Sequence, residues 1–259
     1  MLVLLALTGC DLLASGQDQI DDLQDTLDGL TNPLVVQGIV LGVAEPESSE
    51  IDLSKTDFSK GTVVTVFTAD AASVNEIENA PVTGASISIK VGQQGAVDLE
   101  EVGGGAYKAA GEEVSYNASA LAELSVGIGD SAAGAQVILP PAANASVPEQ
   151  HDGSPMLIDL SSQEYDQVLV VVFDVGSGQV TFSNEPRDVM ELYEFSTADD
   201  AGAGLTIPAS AFPDESIYAV GVAGLVKGDS VNFSSMNTAL SSLQAGKLKF
   251  YPVSTLALP

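Results

Sequence analysis

From residue 34 onward, apolar and polar positions alternate or run together in blocks the length of β-strands. In "GASISIKV", Ala85, Ile87, Ile89 and Val91 fall on one side and Ser86, Ser88 and Lys90 on the other, because successive strand side chains point to opposite faces. The pattern predicts a strand with one buried and one wet face. The runs "LVVQGIVLGV", "TVVTVFTA", "GAYKAAG", "LAELSVGI" and "AQVILP" are of the same kind, separated by turns such as Gly103-Gly104-Gly105. A second set comprises "SPMLIDL", "DQVLVVVFDVGSGQVTFSNEP", "VMELYEF", "ESIYAVGVAGLV" and "GKLKFYPVSTLAL". Within it, Val168 to Val175 is apolar on both faces apart from Asp174, which predicts a central strand covered on both sides. Gly176-Ser177-Gly178 reads as a hairpin turn. In the last run Leu248 and Phe250 face inward while Lys247 and Lys249 face water.

Between the two sets lies "PPAANASVPEQHDGSP", with four prolines in 16 residues. Proline cannot donate to a ladder and stiffens an extended chain, so residues 140–155 read as an interdomain linker or a long crossover. Ahead of the strands the period changes. Ile20, Leu23, Leu27 and Leu30 are spaced by three and four, with Asp21, Asp22, Asp25 and Asp28 opposite, and Gly29 and Pro33 close the segment. That is an amphipathic helical period. The expected fold is therefore all-β: two tandem Ig-like or prealbumin-like antiparallel β-sandwiches, over 34–139 and 156–259, preceded by a short tether helix within 10–33.

Two stretches carry family resemblances. "PVTGASISIKVGQQGAVDLEEVGGGAYKAAG", with its Pro-x-x-Gly-Ala entry and the turn at Gly105-Ala106-Tyr107, resembles the carboxypeptidase-regulatory-like, or prealbumin-like, sandwich. "ESIYAVGVAG", through Tyr218, Val220 and Val222, is similar to the Tyr-x-Val-x-Val strand of fibronectin type III domains. That family usually has a core tryptophan and this chain has none.

At the amino end, Leu7-Thr8-Gly9-Cys10 resembles the lipobox of bacterial lipoproteins. The resemblance implies a signal peptide over 1–9, cleavage before Cys10 and acylation of that cysteine. No Lys or Arg precedes Cys10 and the apolar run Leu2–Leu7 is short, which reads as a signal whose true start lies upstream. Gly9 and Asp11 interrupt the run too early for a bilayer span of ~20 residues. Cys10 is the only cysteine, so its acylation leaves no thiol for a disulfide or nucleophile. The lipobox together with this pair of sandwiches looks like a class of bacterial envelope lipoproteins, which implies an extracytoplasmic site on the membrane. Asp11 resembles an inner-membrane retention signal of some sorting systems; inner or outer membrane stays open.

Charge narrows the partners. The chain has 36 acidic against 8 basic residues, a formal net charge of -28. Nucleic-acid binding is excluded, because phosphate backbones are held by cations, and anionic lipid heads are repelled. Acidic surfaces of this kind suit saline surroundings or attract basic partners. The expected partners are a membrane, through the lipid anchor, and an envelope protein.

Candidate chemistry is sparse. His151, the only histidine, lies beside Asp152 in the proline-rich segment and reads as a solvated loop residue; any Ser-His-Asp triad would have to use it. Neither Ser-x-x-Lys nor Gly-x-Ser-x-Gly occurs. Paired acids at Glu100-Glu101, Glu112-Glu113, Asp199-Asp200 and Asp214-Glu215 have the composition of a carboxylate site, yet a sugar site also wants aromatic platforms and only 5% of residues are aromatic. Asp199 and Asp200 with neighbouring glycine carbonyls are the candidate calcium loop, weighed against ordinary acid-glycine turn chemistry. Asn117, Asn144 and Asn232 match Asn-x-Ser by chance composition. No cofactor is expected. The reading is a non-enzymatic binding or structural protein, with an accessory subunit of an envelope transport or secretion complex, or a hydrolase with an unrecognised carboxylate site, as alternatives.

Overall fold

The alternating run "GASISIKV" forms a strand in which Ile87, Ile89 and Val91 are buried and Ser86 and Lys90 exposed. It is one of fifteen strands in the computed structural model, which describes residues 34–110, 114–129, 131–160, 164–198, 204–231 and 236–255. The expected tether helix and Cys10 lie outside these residues. The strands are β1 (Leu34–Val43), β2 (Thr62–Asp70), β3 (Ser86–Val91), β4 (Val97–Asp98), β5 (Glu100–Gly103), β6 (Ala106–Ala110), β7 (Leu121–Ile128) and β8 (Ser131–Ile138). They continue as β9 (Met156–Asp159), β10 (Gln167–Asp174), β11 (Val180–Ser183), β12 (Gly204–Ile207), β13 (Ile217–Lys227), β14 (Asp229–Val231) and β15 (Ser242–Ser254), with one helix, α1 (Val189–Thr197), between β11 and β12.

The fold is an all-β sandwich. Its layers are an eight-stranded sheet in the order β11-β10-β13-β15-β1-β2-β6-β5, a five-stranded sheet in the order β14-β8-β7-β3-β4, and the pair β12-β9. The expectation of two tandem sandwiches differs from this in one respect: the two halves share the long sheet. The joint is a parallel pairing of β1 with β15, from Gln37 opposite Ser242 to Val43 opposite Leu248. A second crossing pairs β14 with β8, Asp229 opposite Gln136.

Burial explains why the joint forms. On one face of the long sheet Val36, Val40, Val64, Val66 and Leu243 pack on Ile87, Ile89, Leu124 and Val126 of the five-stranded sheet. Further along that face Val168, Val170, Val172, Val220 and Val222 pack on Met156, Ile158 and Ile207 of β9 and β12. The opposite face buries Ile39, Leu41, Leu169, Val171, Phe173, Leu248 and Phe250 under Ile51 and Phe58. It also buries Val35, Phe67 and Ala69 under Ile77 and α1. An isolated first sandwich would leave Ile39 and Leu41 on an open edge, and each such side chain is worth ~1.5–3 kcal/mol when buried. The central run predicted from Val168 is accordingly covered on both sides.

One predicted strand is a helix. "VMELYEF" forms most of α1, because Asp188 caps it by accepting from the Glu191 amide at 2.8 Å while the Glu191 carboxylate accepts from the Arg187 amide at 2.8 Å. The first bond satisfies a first-turn donor and the second ties down the residue just before the cap, and Val189, Leu192 and Ser196 form its buried face. The proline-rich segment is a packed crossover. Ala143 is buried with β9 and β10, Tyr251 Oη accepts from the Ala145 amide at 3.1 Å, and Gln150 bridges Ser254.

Two local devices hold the sandwich. Tyr107, 1% exposed, accepts from the Ala85 amide at 2.9 Å and donates to the Val82 carbonyl at 3.2 Å, tying β6 to the entry of β3. Tyr218 accepts from the Asp214 amide at 3.0 Å and donates to its carbonyl at 3.2 Å, as a tyrosine corner does. The glycines inside β13 make room for rings. A Cβ on Gly221 would lie 2.4 Å from the Phe250 ring, and one on Gly224 2.4 Å from the Tyr165 ring.

Candidate functional site

The two edge strands of the long sheet, β5 and β11, line a common cleft of about 720 Å³. Strands at opposite ends of one sheet meet the same cavity only if the sheet curls, which brings both free edges to this cleft. Its apolar floor includes Leu41, Val63, Phe58 and Val171, from β1, β2, the turn after β1 and β10. Glu100 and Val102 of β5 line one side, Val180 and Ser183 of β11 the other. Val102 is 57% and Val180 48% exposed, two of the five large apolar side chains left open among the described residues.

The cleft is built by short-range chemistry on both sides. The predicted turn after β10 forms, with Gly178 at a φ of 74° that favours glycine. Asp174 organises it, accepting from the Ser177 amide at 2.6 Å and the Ser177 hydroxyl at 2.7 Å, and from the Ser216 hydroxyl. These bonds, Ser216 first, hold its carboxyl below the usual carboxylate range. The 3₁₀ turns Leu53–Lys55 and Asp57–Lys60 lie against the same hairpin, with Lys55 Nζ donating to the Gly176 carbonyl at 2.8 Å. Phe58 is wedged there, 5.7 Å from the Phe250 ring, which is 5.7 Å from Phe173. On the other side Gly103, Gly104 and Gly105 all take positive φ, turning the chain from β5 into β6. Charges at the cleft are Asp98, Glu100 and Glu185 against Lys55 and Lys108, with Glu100 directly opposite Lys108 in the ladder.

The candidates from sequence scatter. Glu100 reaches the cleft, whereas the Glu101 carboxylate accepts from the Gly84 amide at 2.8 Å. Asp214 serves Tyr218 through its backbone, and Glu215 is exposed. Cys10, Glu112, Glu113, Asp199, Asp200 and Asn232 lie outside the described residues. His151, in a loop and partly exposed, stacks on Phe212 at 4.2 Å, its Nε2 bonded to the Ser154 carbonyl at 2.8 Å. The Ser154 hydroxyl donates to Asp152 rather than to the imidazole, so these three neighbours do not form a triad. No group of three or more metal-ligating side chains occurs among the described residues. Val102, Val180, Lys55 and Lys108 carried no signal in the sequence, because single residues at hairpin edges reveal nothing of the distant edge they face.

No family model and no curated protein matches this chain. Among solved structures, a chimeric titin Z1Z2-Z1Z2 tandem carrying a GRGDS peptide from fibronectin is similar at 15% identity over 76% of this chain and 90% of that one, with a TM-score of 0.23. Yersinia pseudotuberculosis adhesin InvE is similar at 12% identity over 89% of this chain, also with a TM-score of 0.23. This chain spans 59% of that adhesin's length. At such scores the assignment of the fold rests on the sheets themselves.

Proposed function

We propose that this chain is a non-enzymatic binding or structural protein of a bacterial cell envelope, held on the extracytoplasmic side of a membrane by acylated Cys10. The observation that carries the binding role is the open cleft between β5 and β11, with Val102 and Val180 left exposed beside an apolar floor. Small-molecule and peptide sites are likewise concave and join apolar surface to fixed polar groups, and here apolar side chains share the lining with Lys55, Asp98, Glu100, Lys108 and Glu185. The anchor rests on Leu7-Thr8-Gly9-Cys10. Two or more acyl chains at ~0.8 kcal/mol per buried methylene hold a protein on a bilayer without a spanning helix, and no described helix is long and apolar enough to span one.

The test is a mild-detergent pull-down from envelope membranes through a carboxy-terminal tag, comparing the native chain with Cys10→Ser and weighing every recovered species. The expected result is membrane-bound native protein with added acyl mass at Cys10, and soluble Cys10→Ser. A stoichiometric protein partner would favour the complex-subunit role, and recovery alone a display or ligand-binding role. Equal solubility of the two forms with no acyl mass would overturn the anchor.

A further inference from the structure

The cleft has the form of a missing strand. β5 is bonded within the sheet only to β6, and β11 only to β10, so each keeps one open edge. Following the ladder from β11 through the single parallel joint to β5 shows that β5 and β11 run in the same direction. One extended segment lying between them would run antiparallel to both. Each edge is four residues long, about 13 Å at a strand's rise. Nearby edges are closed where these are not. Beyond β11, Asn184 donates to the Val168 carbonyl at 2.8 Å and accepts from the Val170 amide at 2.7 Å, filling the edge of β10 with a side chain. Edges left open next to exposed apolar residues invite strand addition.

Charge selects the occupant. The chain carries a net charge of -28, and three carboxylates line the cleft beside two lysines. A second copy of the chain is repelled, as is its own segment before β1, which has aspartates and no Lys or Arg. Resting on the binding role above, we propose that the cleft takes an extended peptide segment of a partner protein as an added strand between β5 and β11, its inward side chains apolar and its outward ones Lys or Arg.

The probe is a fluorescent peptide of three Lys-Val repeats, titrated into the full chain at physiological ionic strength and read by anisotropy beside a Glu-Val counterpart. The expected result is saturable binding of the Lys-Val peptide alone. The pair Val102→Lys and Val180→Lys should weaken it by about tenfold or more. The pair Ile138→Lys and Leu157→Lys, at least as exposed and adding the same charge elsewhere, should leave it unchanged. Equal weakening by both pairs would mean diffuse attraction and overturn the site, as would equal binding of the two peptides or none. A partner still recovered from membranes with Val102→Lys and Val180→Lys would overturn the cleft proposal while the binding role stands. Native protein recovered with no acyl mass but still binding the peptide would sink the anchor and leave the cleft proposal intact.

Discussion

The five-stranded and eight-stranded sheets use the same residue types under opposite conditions. In the first, β3 and β7 alternate cleanly: Ile87, Ile89, Leu124 and Val126 are buried, while the outer face carries Ser88, Ser125 and the ion pair Lys90–Glu123 at 3.1 Å. In the second, β1, β10 and β13 are buried along nearly their whole length because both faces are covered. Water on one side writes a period of two into the sequence. Covering the second side erases it, and with it the visible boundary between the halves.

The largest effect expected from this contrast is at Phe173, fully buried on the second face of the long sheet. Phe173→Ala should cost about 3–5 kcal/mol, measured by urea unfolding, whereas Ser125→Ala on the outer face of β7 should stay within about 0.5 kcal/mol. Next come the glycines. Gly221→Ala must displace the Phe250 ring and should cost about 1–3 kcal/mol. In Gly127→Ala of β7 the new methyl meets nothing closer than 3.8 Å, so that change should leave stability unaltered or raise it slightly.

Gln244 tests the joint itself. It lies on β15 between Ile39 of β1 and Lys227 of β13, fully buried, with neither side-chain amide atom hydrogen-bonded. Gln244→Met should stabilise by about 1–2 kcal/mol, the cost of burying unpaired polar atoms, read as a higher urea midpoint. The smallest effect is at Asp174, whose lowered pKa adds stability above the ordinary carboxylate value of 3.8. That contribution is lost as pH falls through the folded value. Asp174→Ala should cost about 1 kcal/mol at neutral pH, and its gap to the native chain should close in acid.

These contrasts also mark what the sequence could show. The strand β3, the doubly covered run after Val168 and the turn at Gly176–Gly178 were legible because each rests on neighbours a few residues apart. The helix α1 had a local signal in Asp188 and Glu191 that its dense apolar residues masked. The pairing of β1 with β15 had none. It is parallel, joins positions about two hundred residues apart, and needs no turn to announce it. The cleft inherits that silence, since Val102 belongs to one half of the chain and Val180 to the other.

One sheet unites the halves and thereby forms the cleft. Calorimetry of the full chain tests it most directly. A single unfolding transition is expected, with calorimetric and van't Hoff enthalpies in agreement, because β1 and β15 cannot separate without exposing both cores. Two resolved transitions, one for each half, would contradict it.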